Sequence, residues 1–340
     1  SRPEGAGAVT PLRAALLALA ALLACAPALA QTYYVDAAFG DDGATGRSWG
    51  EAYATVQRAL EEARLAAGAG TRPRVNVAAG SYTMGVHTID FPVVLVGGYP
   101  AGGGPRDRGS NETNLEVGLR FEPGARASIL DGFSVTGGTA LLEDVTVRNC
   151  AVRGGGVGIL ARAGRILRNE VSLHQNAGIT GQTPGDNPGL KDCSGRILIE
   201  RNWVHDNQAE GIEVEDLNCG LDGEHPVVTV RHNRIHDTLP RQPEFDAGLV
   251  VSCCPVVYNN EVVGSQGAGV RVWSGYSVMP PASWVSPMLT NLTVVGSSRV
   301  AIDFMQPGGE LNLTRAILWG NAGGDVEDMP ALTDVSYTLS

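Results

Sequence analysis

Two acidic side chains occupy alternate positions of one short apolar segment of the sequence. Glu213 and Glu215 lie two and four residues after Gly211. Successive side chains of a β-strand point to opposite faces, so a strand here would place both carboxylates on one face and Ile212 on the other. Paired carboxyl groups can act as acid and base in the cleavage of a glycosidic bond. This segment is therefore the first candidate for a site of chemistry.

The same two offsets from a recurring glycine bring further polar side chains to this face, and we call the set the polar stripe. Its members are Thr180, Glu213, Val250, Arg271 and Asp303 at the first offset, and Glu215, Ser252 and Trp273 at the second. An indole ring stacks on a sugar, and carboxylates bind hydroxyl groups or a Ca²⁺ that bridges to uronates. The candidate catalytic residues are Glu213, Glu215, Arg271 and Asp303, and the candidate substrate-binding residues are Thr180, Ser252 and Trp273.

Three insertions follow the glycine-containing segment on the same side of successive repeats, roughly at residues 181–194, 216–226 and 274–287. Long loops beside a rigid scaffold are common places for binding sites. Their substrate-binding candidates are Asp192, Asp216, Asp222, Glu224 and His225. Acidic residues are also ordinary in loops, and a solvated polar face without a ligand is the alternative for the stripe.

Two histidine–aspartate pairs, His205-Asp206 and His236-Asp237, occupy equivalent positions of adjacent repeats. Stacked strands lie about 4.8 Å apart, so two imidazoles there could share a metal or act as acid and base. A ladder of two partly exposed histidines without a metal is the favoured interpretation.

The elements that position these residues are six repeats in which asparagine is followed, usually nine residues later, by glycine and an aliphatic residue. The asparagines are Asn149, Asn169, Asn202, Asn233, Asn260 and Asn291. Short β-rich repeats of this length are typical of a solenoid, whose turns (rungs) stack on one another. We expect the asparagine to adopt a left-handed backbone at a tight turn and to bond its stacked copy.

Apolar residues recur two positions after the asparagine and one position after the glycine, and we expect them to point into the core. They are Val171, Val204, Ile235, Val262, Ile179, Ile212, Leu249 and Val270.

Residues 31–114 are expected to form an N-terminal cap and the first rungs, and residues 115–340 the rest of the solenoid. Ser48-Trp49-Gly50-Glu51 has the spacing of a capping box and predicts a helix that runs to about Ala67. Such a helix would cover the open first rung. Residues 334–339 look like a rung cut off midway.

Residues 1–30 have the pattern of a signal peptide. Arg13 precedes an apolar run over residues 14–26, and Ala28-Leu29-Ala30 before Gln31 is a small-x-small cleavage site. Leu22-Leu23-Ala24-Cys25 is an alternative lipobox, which would make Cys25 a lipid anchor. Both interpretations place the protein outside the cytoplasm, secreted, on the outer cell surface or in the periplasm. The remaining five cysteines then allow a disulfide between loops, whose pairing stays open.

Composition excludes several classes of function. The 340 residues carry a net charge of −11, which disfavours nucleic acid because phosphate binding needs a basic surface. After residue 30 no stretch of about eighteen apolar residues could span a membrane. The 45 glycines and 6% aromatic residues indicate many turns and short strands.

Several N-terminal motifs resemble a known family. They are Tyr33-Tyr34-Val35-Asp36, Asp41-Asp42-Gly43, Leu95-Val96-Gly97-Gly98-Tyr99-Pro100 and Leu130-Asp131-Gly132-Phe133. Together they resemble bacterial secreted right-handed parallel β-helix proteins of the choice-of-anchor Q and pectate-lyase-like superfamily. The resemblance covers residues 31–340 and implies an all-β, three-sheet parallel β-helix with an N-terminal capping helix. It implies function poorly, because this fold hosts unrelated activities.

Three hypotheses follow. The favoured one is a non-catalytic protein that binds an extracellular polysaccharide along the polar stripe. The second is a polysaccharide lyase or glycoside hydrolase acting on an acidic polysaccharide, with Ca²⁺ as its candidate cofactor. The third is a structural adhesin or spacer that needs no site.

Overall fold

The computed structural model describes residues 30–68, 71–116, 118–141, 144–182, 196–216, 228–239, 246–253, 255–273, 287–305, 312–327 and 334–339. Residues 216, 253 and 334–339 are described by their backbone alone. Short strands separated by tight turns make up nearly all of these residues, as the glycine-rich composition predicts.

The elements of the N-terminal half include one α-helix, α1. In chain order they are β1 (Thr32–Val35), α1 (Val56–Ala66), β2 (Arg74–Ala78), β3 (Gly80–Thr83), β4 (His87–Ile89), β5 (Val94–Tyr99), β6 (Thr113–Glu116), β7 (Leu119–Phe121), β8 (Ile129–Asp131), β9 (Ser134–Thr136), β10 (Thr139–Leu141), β11 (Val145–Arg148), β12 (Ala151–Arg153), β13 (Ile159–Ala161), β14 (Gly164–Leu167) and β15 (Glu170–Ser172).

The described elements of the C-terminal half are strands. They are β16 (Ile179–Gln182), β17 (Ile197–Glu200), β18 (Trp203–His205), β19 (Ile212–Asp216), β20 (Val228–Arg231), β21 (Arg234–His236), β22 (Ala247–Cys253), β23 (Val256–Tyr258), β24 (Glu261–Val263), β25 (Ala268–Trp273), β26 (Met288–Thr290), β27 (Thr293–Val295), β28 (Ile302–Phe304), β29 (Asn312–Trp319), β30 (Val326–Glu327) and β31 (Asp334–Leu339).

The strands stack in parallel, and through most of the chain each pairs with the strand three places away in sequence. Sheet 1 runs from β4 through β7, β10, β13, β16, β19, β22, β25 and β28 to β30. Sheet 2 contains β8, β11, β14, β17, β20, β23 and β26, and sheet 3 contains β9, β12, β15, β18, β21, β24 and β27. The chain is therefore a right-handed parallel β-helix of three sheets, and the predicted fold class is confirmed.

The core is a set of apolar columns that run along the helix axis. All eight residues predicted to point inward from the asparagine and glycine offsets are fully buried. Burying one such side chain stabilises the fold by roughly 1.5–3 kcal/mol. In a solenoid, each rung stabilises only the rungs that it contacts on either side. The prediction of the inward face is confirmed.

The repeated glycine is required by the close approach of the next rung. A Cβ added to Gly211 would lie 2.3 Å from Cγ2 of Ile235 and 2.7 Å from the carbonyl oxygen of Gly248. Since no other residue lacks a Cβ, a larger one would push the two rungs apart. In this rung, sheet 1 begins directly after the glycine, at Ile212.

The repeated asparagines form a buried ladder at the corner between sheets 2 and 3. The side-chain oxygen of Asn202 accepts hydrogen bonds from the backbone N–H and the side-chain amide of Asn169, at 2.9 and 3.0 Å. Asn233 does the same for Asn202, and Asn260 for Asn233. The amides of Asn169, Asn202 and Asn233 are thereby satisfied by the next copy, which confirms this part of the prediction, and the amide of Asn260 donates to the carbonyl oxygens of Val230 and Tyr258.

The residue before each ladder asparagine adopts the left-handed backbone conformation. The prediction that the ladder asparagine itself adopts it is therefore wrong by one position. Arg168 and Arg201 have φ of 55° and 56°. Asn149 and Asn291 occupy this left-handed corner too, with φ of 52° and 50°, and are not ladder members.

Cys150 takes the place of the first ladder asparagine, since its N–H donates to Asn169 Oδ1 at 2.9 Å. The turn between β12 and β13 is one residue shorter than the turn between β15 and β16. This deletion made the spacing from Asn149 to its glycine look regular.

Helix α1 packs against β1 and β2 at the N-terminal end of the solenoid and buries Val56, Leu60 and Ala63. The predicted start of this helix is wrong. Ser48 forms no side-chain capping bond, whereas the Thr55 side chain accepts from the N–H of Arg58 at 3.2 Å. No helix of the described residues is long and apolar enough to cross a membrane.

Candidate functional site

The polar stripe lies on the outward face of sheet 1, in the register that the glycine offsets predict. Thr180, Glu213, Val250, Arg271 and Asp303 pair in succession through β16, β19, β22, β25 and β28. Gln182, Glu215, Ser252 and Trp273 form a second column beside the first. Gln182 is a member that sequence reasoning missed, although it stands at the same offset from Gly178 as Glu215 does from Gly211.

The stripe divides into an accessible half and a buried half. Thr180, Gln182, Glu213 and Glu215 are partly exposed, and the indole of Trp273 is 46% exposed. Arg271 and Asp303 are only 1% and 3% exposed, which differs from the solvent-facing position expected for them. Next to them Val250 packs with Ala247, Ala268 and Val300 in an apolar cluster outside the main core, so this part of the outward face is covered.

Arg271 and Asp303 form a buried ion pair. Nε and Nη2 of Arg271 both donate to Oδ2 of Asp303, at 3.0 and 2.6 Å. Nη1 of Arg271 is buried and has no hydrogen-bond partner among the residues that the structure describes. This pair fixes how the rungs of β25 and β28 pack against each other. Its burial gives a substrate little access to either charged group.

The accessible half contains carboxyl groups whose protonation is shifted by their surroundings. Burial, the charge of Glu213 and the neighbouring Asp246 raise the pKa of Glu210 to about 7. Burial and the charge of Glu215 also raise the pKa of Glu213, although Thr180 Oγ1 donates to its carboxylate at 3.5 Å. Near neutral pH, Glu210 is thus a proton donor beside acidic groups that can accept one.

Glu210 and Asp246 were not identified from the sequence. Their side chains are hydrogen-bonded to each other, and they stand just before β19 and β22, respectively. Their distances from the repeated glycine differ, since Glu210 directly precedes Gly211 and Asp246 lies two residues before Gly248. The shared glycine offset that identified the stripe therefore could not reveal this pair.

A hydrogen bond also fixes the second carboxylate column. Gln182 Nε2 donates to Glu215 Oε2 at 2.7 Å, which orients the carboxylate along the sheet. Together, Glu210, Asp246, Glu213 and Glu215 place four carboxyl groups on two neighbouring rungs, and the pKa values of Glu210 and Glu213 are raised. Neighbouring carboxyl groups with raised pKa values are candidates for acid and base in one reaction.

Most loop candidates lie outside the described residues. These are Asp192, Asp222, Glu224 and His225, and of Asp216 only the backbone at the end of β19 is described.

The two predicted histidine–aspartate pairs lie on sheet 3 and not beside the stripe. His205 and His236 are register neighbours in β18 and β21. Nδ1 of His205 is 2.7 Å from Oδ2 of Asp206, and its ring stacks on Trp203 with centroids 4.0 Å apart. Asp237 is at a left-handed corner, with φ of 48°. No three His, Cys, Asp or Glu side chains of the described residues are grouped as metal ligands, either here or on the stripe.

Comparison with known proteins supports the fold. A family model described as a right-handed β-helix region matches residues 124–238. No curated protein matches the sequence.

Two solved structures are similar over 84% of this chain, each with a TM-score of 0.50. The A-module of mannuronan C-5 epimerase AlgE6 from Azotobacter vinelandii is 14% identical, with 93% of its chain covered. The catalytic domain of a GH87 α-1,3-glucanase in complex with tetrasaccharides is 10% identical, with 66% of its chain covered. At this identity the likeness establishes a shared fold.

Proposed function

We propose that the protein binds an extracellular polysaccharide along the accessible half of the polar stripe. The observation that supports this most strongly is the pair of registered columns Thr180–Glu213 and Gln182–Glu215, with the exposed indole of Trp273 two rungs beyond Glu215. Hydrogen-bonding groups along a flat sheet suit the hydroxyl groups of a linear glycan, and the indole suits a sugar face. The two structural neighbours are named as a mannuronan epimerase and a glucanase, so this fold can accommodate sugar polymers.

Binding is tested by a glycan array followed by titration calorimetry. We expect Glu213→Gln and Trp273→Ala to weaken binding of a neutral or acidic oligosaccharide about tenfold each. Glu116→Gln is the matched control, because Glu116 is an exposed carboxylate on β6 of sheet 3. Equal affinity in all variants would place the binding site elsewhere. If no glycan binds, the hypothesis of a structural adhesin or spacer is the one that stands.

Glycoside hydrolysis is the second candidate, and the Glu210–Asp246 pair favours it. Glu210 would donate its proton to the glycosidic oxygen as the bond to the anomeric carbon breaks. Asp246 would hold Glu210 in position through their hydrogen bond, and an ionised Glu213 would take a proton from the water that attacks this carbon.

Catalysis is separated from binding by measuring released reducing ends. For an enzyme, Glu210→Gln should abolish release while binding persists, because glutamine keeps the hydrogen-bonding shape without a transferable proton. The Glu116→Gln control should retain full activity. If the Glu210→Gln variant still releases reducing ends, Glu210 is not the catalytic acid. If the wild type releases none, the protein binds glycan without cleaving it.

We further propose export by the segment 1–30, with residues 31–114 and 115–340 forming the mature cap and solenoid. The charged Arg13, the apolar run after it and Ala28-Leu29-Ala30 support this. N-terminal sequencing of protein recovered outside the cytoplasm should begin at Gln31. A lipid-modified Cys25 at the N-terminus would instead support the lipobox, and an intact N-terminus in the cytoplasm would contradict export.

A further inference from the structure

A second concave surface lies on the corner between sheets 2 and 3, away from the polar stripe on sheet 1. Its volume is about 540 Å³, and we call it the corner groove. The side chains that give it chemical character are Arg108, Arg153, Arg168, Arg201, Glu170 and Trp203. They come from successive rungs, so the groove runs along the helix axis.

The corner groove is cationic in a chain of net charge −11. Four arginines line it against two carboxylates, those of Glu112 and Glu170, which gives a local charge of +2. One of the arginines, Arg153, is neutralised by Glu170 at 2.7 Å. Glu112 accepts a hydrogen bond from Ser134 at 2.8 Å.

Three guanidinium groups are thus not fully neutralised within the groove. Arg168 is exposed and forms no ion pair with any residue that the structure describes. Arg201 forms a long ion pair of 3.8 Å with Glu200, whose other carboxylate oxygen is bound by Arg231 at 3.1 Å, so Glu200 neutralises Arg201 only in part. Arg108 donates to the carbonyl of Asn149 and keeps its charge. Guanidinium groups with spare N–H donors bind carboxylate or sulfate in a planar, two-point geometry.

Two of these arginines occupy backbone positions that do not favour arginine. Arg168 and Arg201 stand at the left-handed corner, with φ of 55° and 56°. Asparagine, which tolerates this conformation more readily, fills the same corner at Asn149, Asn259 and Asn291. The same corner is occupied outside the groove by His232 and Arg315, with φ of 55° and 56°. What distinguishes Arg168 and Arg201 is therefore their common placement in one groove.

An aromatic platform completes the groove. Trp203 is 47% exposed and is held by stacking on His205 at a centroid distance of 4.0 Å. Five rungs contribute to the lining, from Thr113 to Trp203, and at about 4.8 Å per rung the groove is about 19 Å long. Such a length fits an oligosaccharide and exceeds a single sugar ring.

We propose that the corner groove binds an acidic polysaccharide, with Arg168, Arg201 and Arg108 contacting its carboxylate or sulfate groups and Trp203 stacking on a sugar ring. The proposal is independent of the polar stripe, which faces a different side and is itself acidic.

The test uses a double variant that removes both charges without straining the corner. Because asparagine is the residue found at equivalent corners, Arg168→Asn with Arg201→Asn should fold at least as stably as the wild type. Arg165→Asn is the matched control, since Arg165 is an exposed arginine on β14 outside the groove. The probes are an oligogalacturonate, a heparin-derived oligosaccharide, and a neutral maltooligosaccharide of the same length.

We expect the wild type to bind at least one acidic probe more tightly than the neutral one in titration calorimetry. Affinity should fall about tenfold or more in the double Asn variant and when NaCl is raised from about 50 to about 300 mM. Trp203→Ala should weaken binding, whereas Arg165→Asn should leave it unchanged. Undiminished binding by the double Asn variant would overturn the proposal. So would equal affinity for the neutral probe, or tighter binding of inorganic polyphosphate than of either acidic sugar.

Discussion

Replacing Asp303 by asparagine should destabilise the solenoid far more than a surface substitution does. The variant leaves the guanidinium of Arg271, 1% exposed, without the carboxylate that accepts its Nε and Nη2 at 3.0 and 2.6 Å. Nη1 already has no hydrogen-bond partner in the described part of the chain. Removing one member of a buried pair costs about 3–5 kcal/mol. Since asparagine retains one acceptor oxygen, we expect the free energy of unfolding to fall by about 3 kcal/mol.

The assay is equilibrium urea unfolding followed by far-UV circular dichroism, with the slope compared between variants. Glu261→Gln is the matched control, because it breaks an exposed pair of 3.2 Å with Arg234 and should cost less than about 0.5 kcal/mol. The double variant Arg271→Met with Asp303→Leu removes both charges, so it should recover most of the lost stability.

A loss below about 1 kcal/mol for Asp303→Asn would refute this reasoning. So would a double variant as unstable as the sum of Asp303→Asn and Arg271→Met. The double variant also tests the role of the pair, because a folded protein that still binds glycan would show that Arg271 and Asp303 act through packing.

Three further predictions concern the ladder, the carboxyl pair and the thiol. Asn202→Ala should lower the free energy of unfolding by about 3 kcal/mol in the same urea assay, because the buried N–H and side-chain amide of Asn169 lose their acceptor. The control Asn176→Ala changes an exposed asparagine and should cost little. Glu210 binds its proton more tightly in the folded state, so stability should fall as pH rises from 4.5 to about 7, by up to about 3 kcal/mol. The melting-temperature difference between Glu210→Gln and wild type should therefore widen with pH in this range, and a constant difference would contradict the raised pKa. Burial raises the pKa of the Cys150 thiol to about 11, so peptide mapping should find it unalkylated by iodoacetamide until denaturant is added.

The fold could be predicted from the sequence because a solenoid repeats one local pattern. Val171, Val204 and Ile235 recur at a fixed offset, and a side chain in each rung needs only the copy above and below it. The same periodicity placed Glu213 beside Thr180 and Val250. Where the period changes by one residue, at Asn149, the prediction shifted onto the wrong residue. Helix α1 lies outside the repeat, so its start depended on two competing capping patterns, and Thr55 prevailed over Ser48.

The sequence by itself determined the column to which each stripe residue belongs, because strand alternation and the glycine offset are local. Only the tertiary structure decided which members of a column meet solvent. Arg271 and Asp303, in the same column as Val250 of the apolar cluster, form a buried pair, whereas Glu213 of that column is partly exposed. The Glu210–Asp246 pair likewise arises between rungs, from two residues that no periodic offset connects. Arg168 and Arg201 share the position before a ladder asparagine, but only the stacking of the rungs shows that they line one groove. Burial and the distances between charged groups are set by this three-dimensional stacking. They decide which carboxyl group has a raised pKa and which arginine is not neutralised by a neighbouring carboxylate.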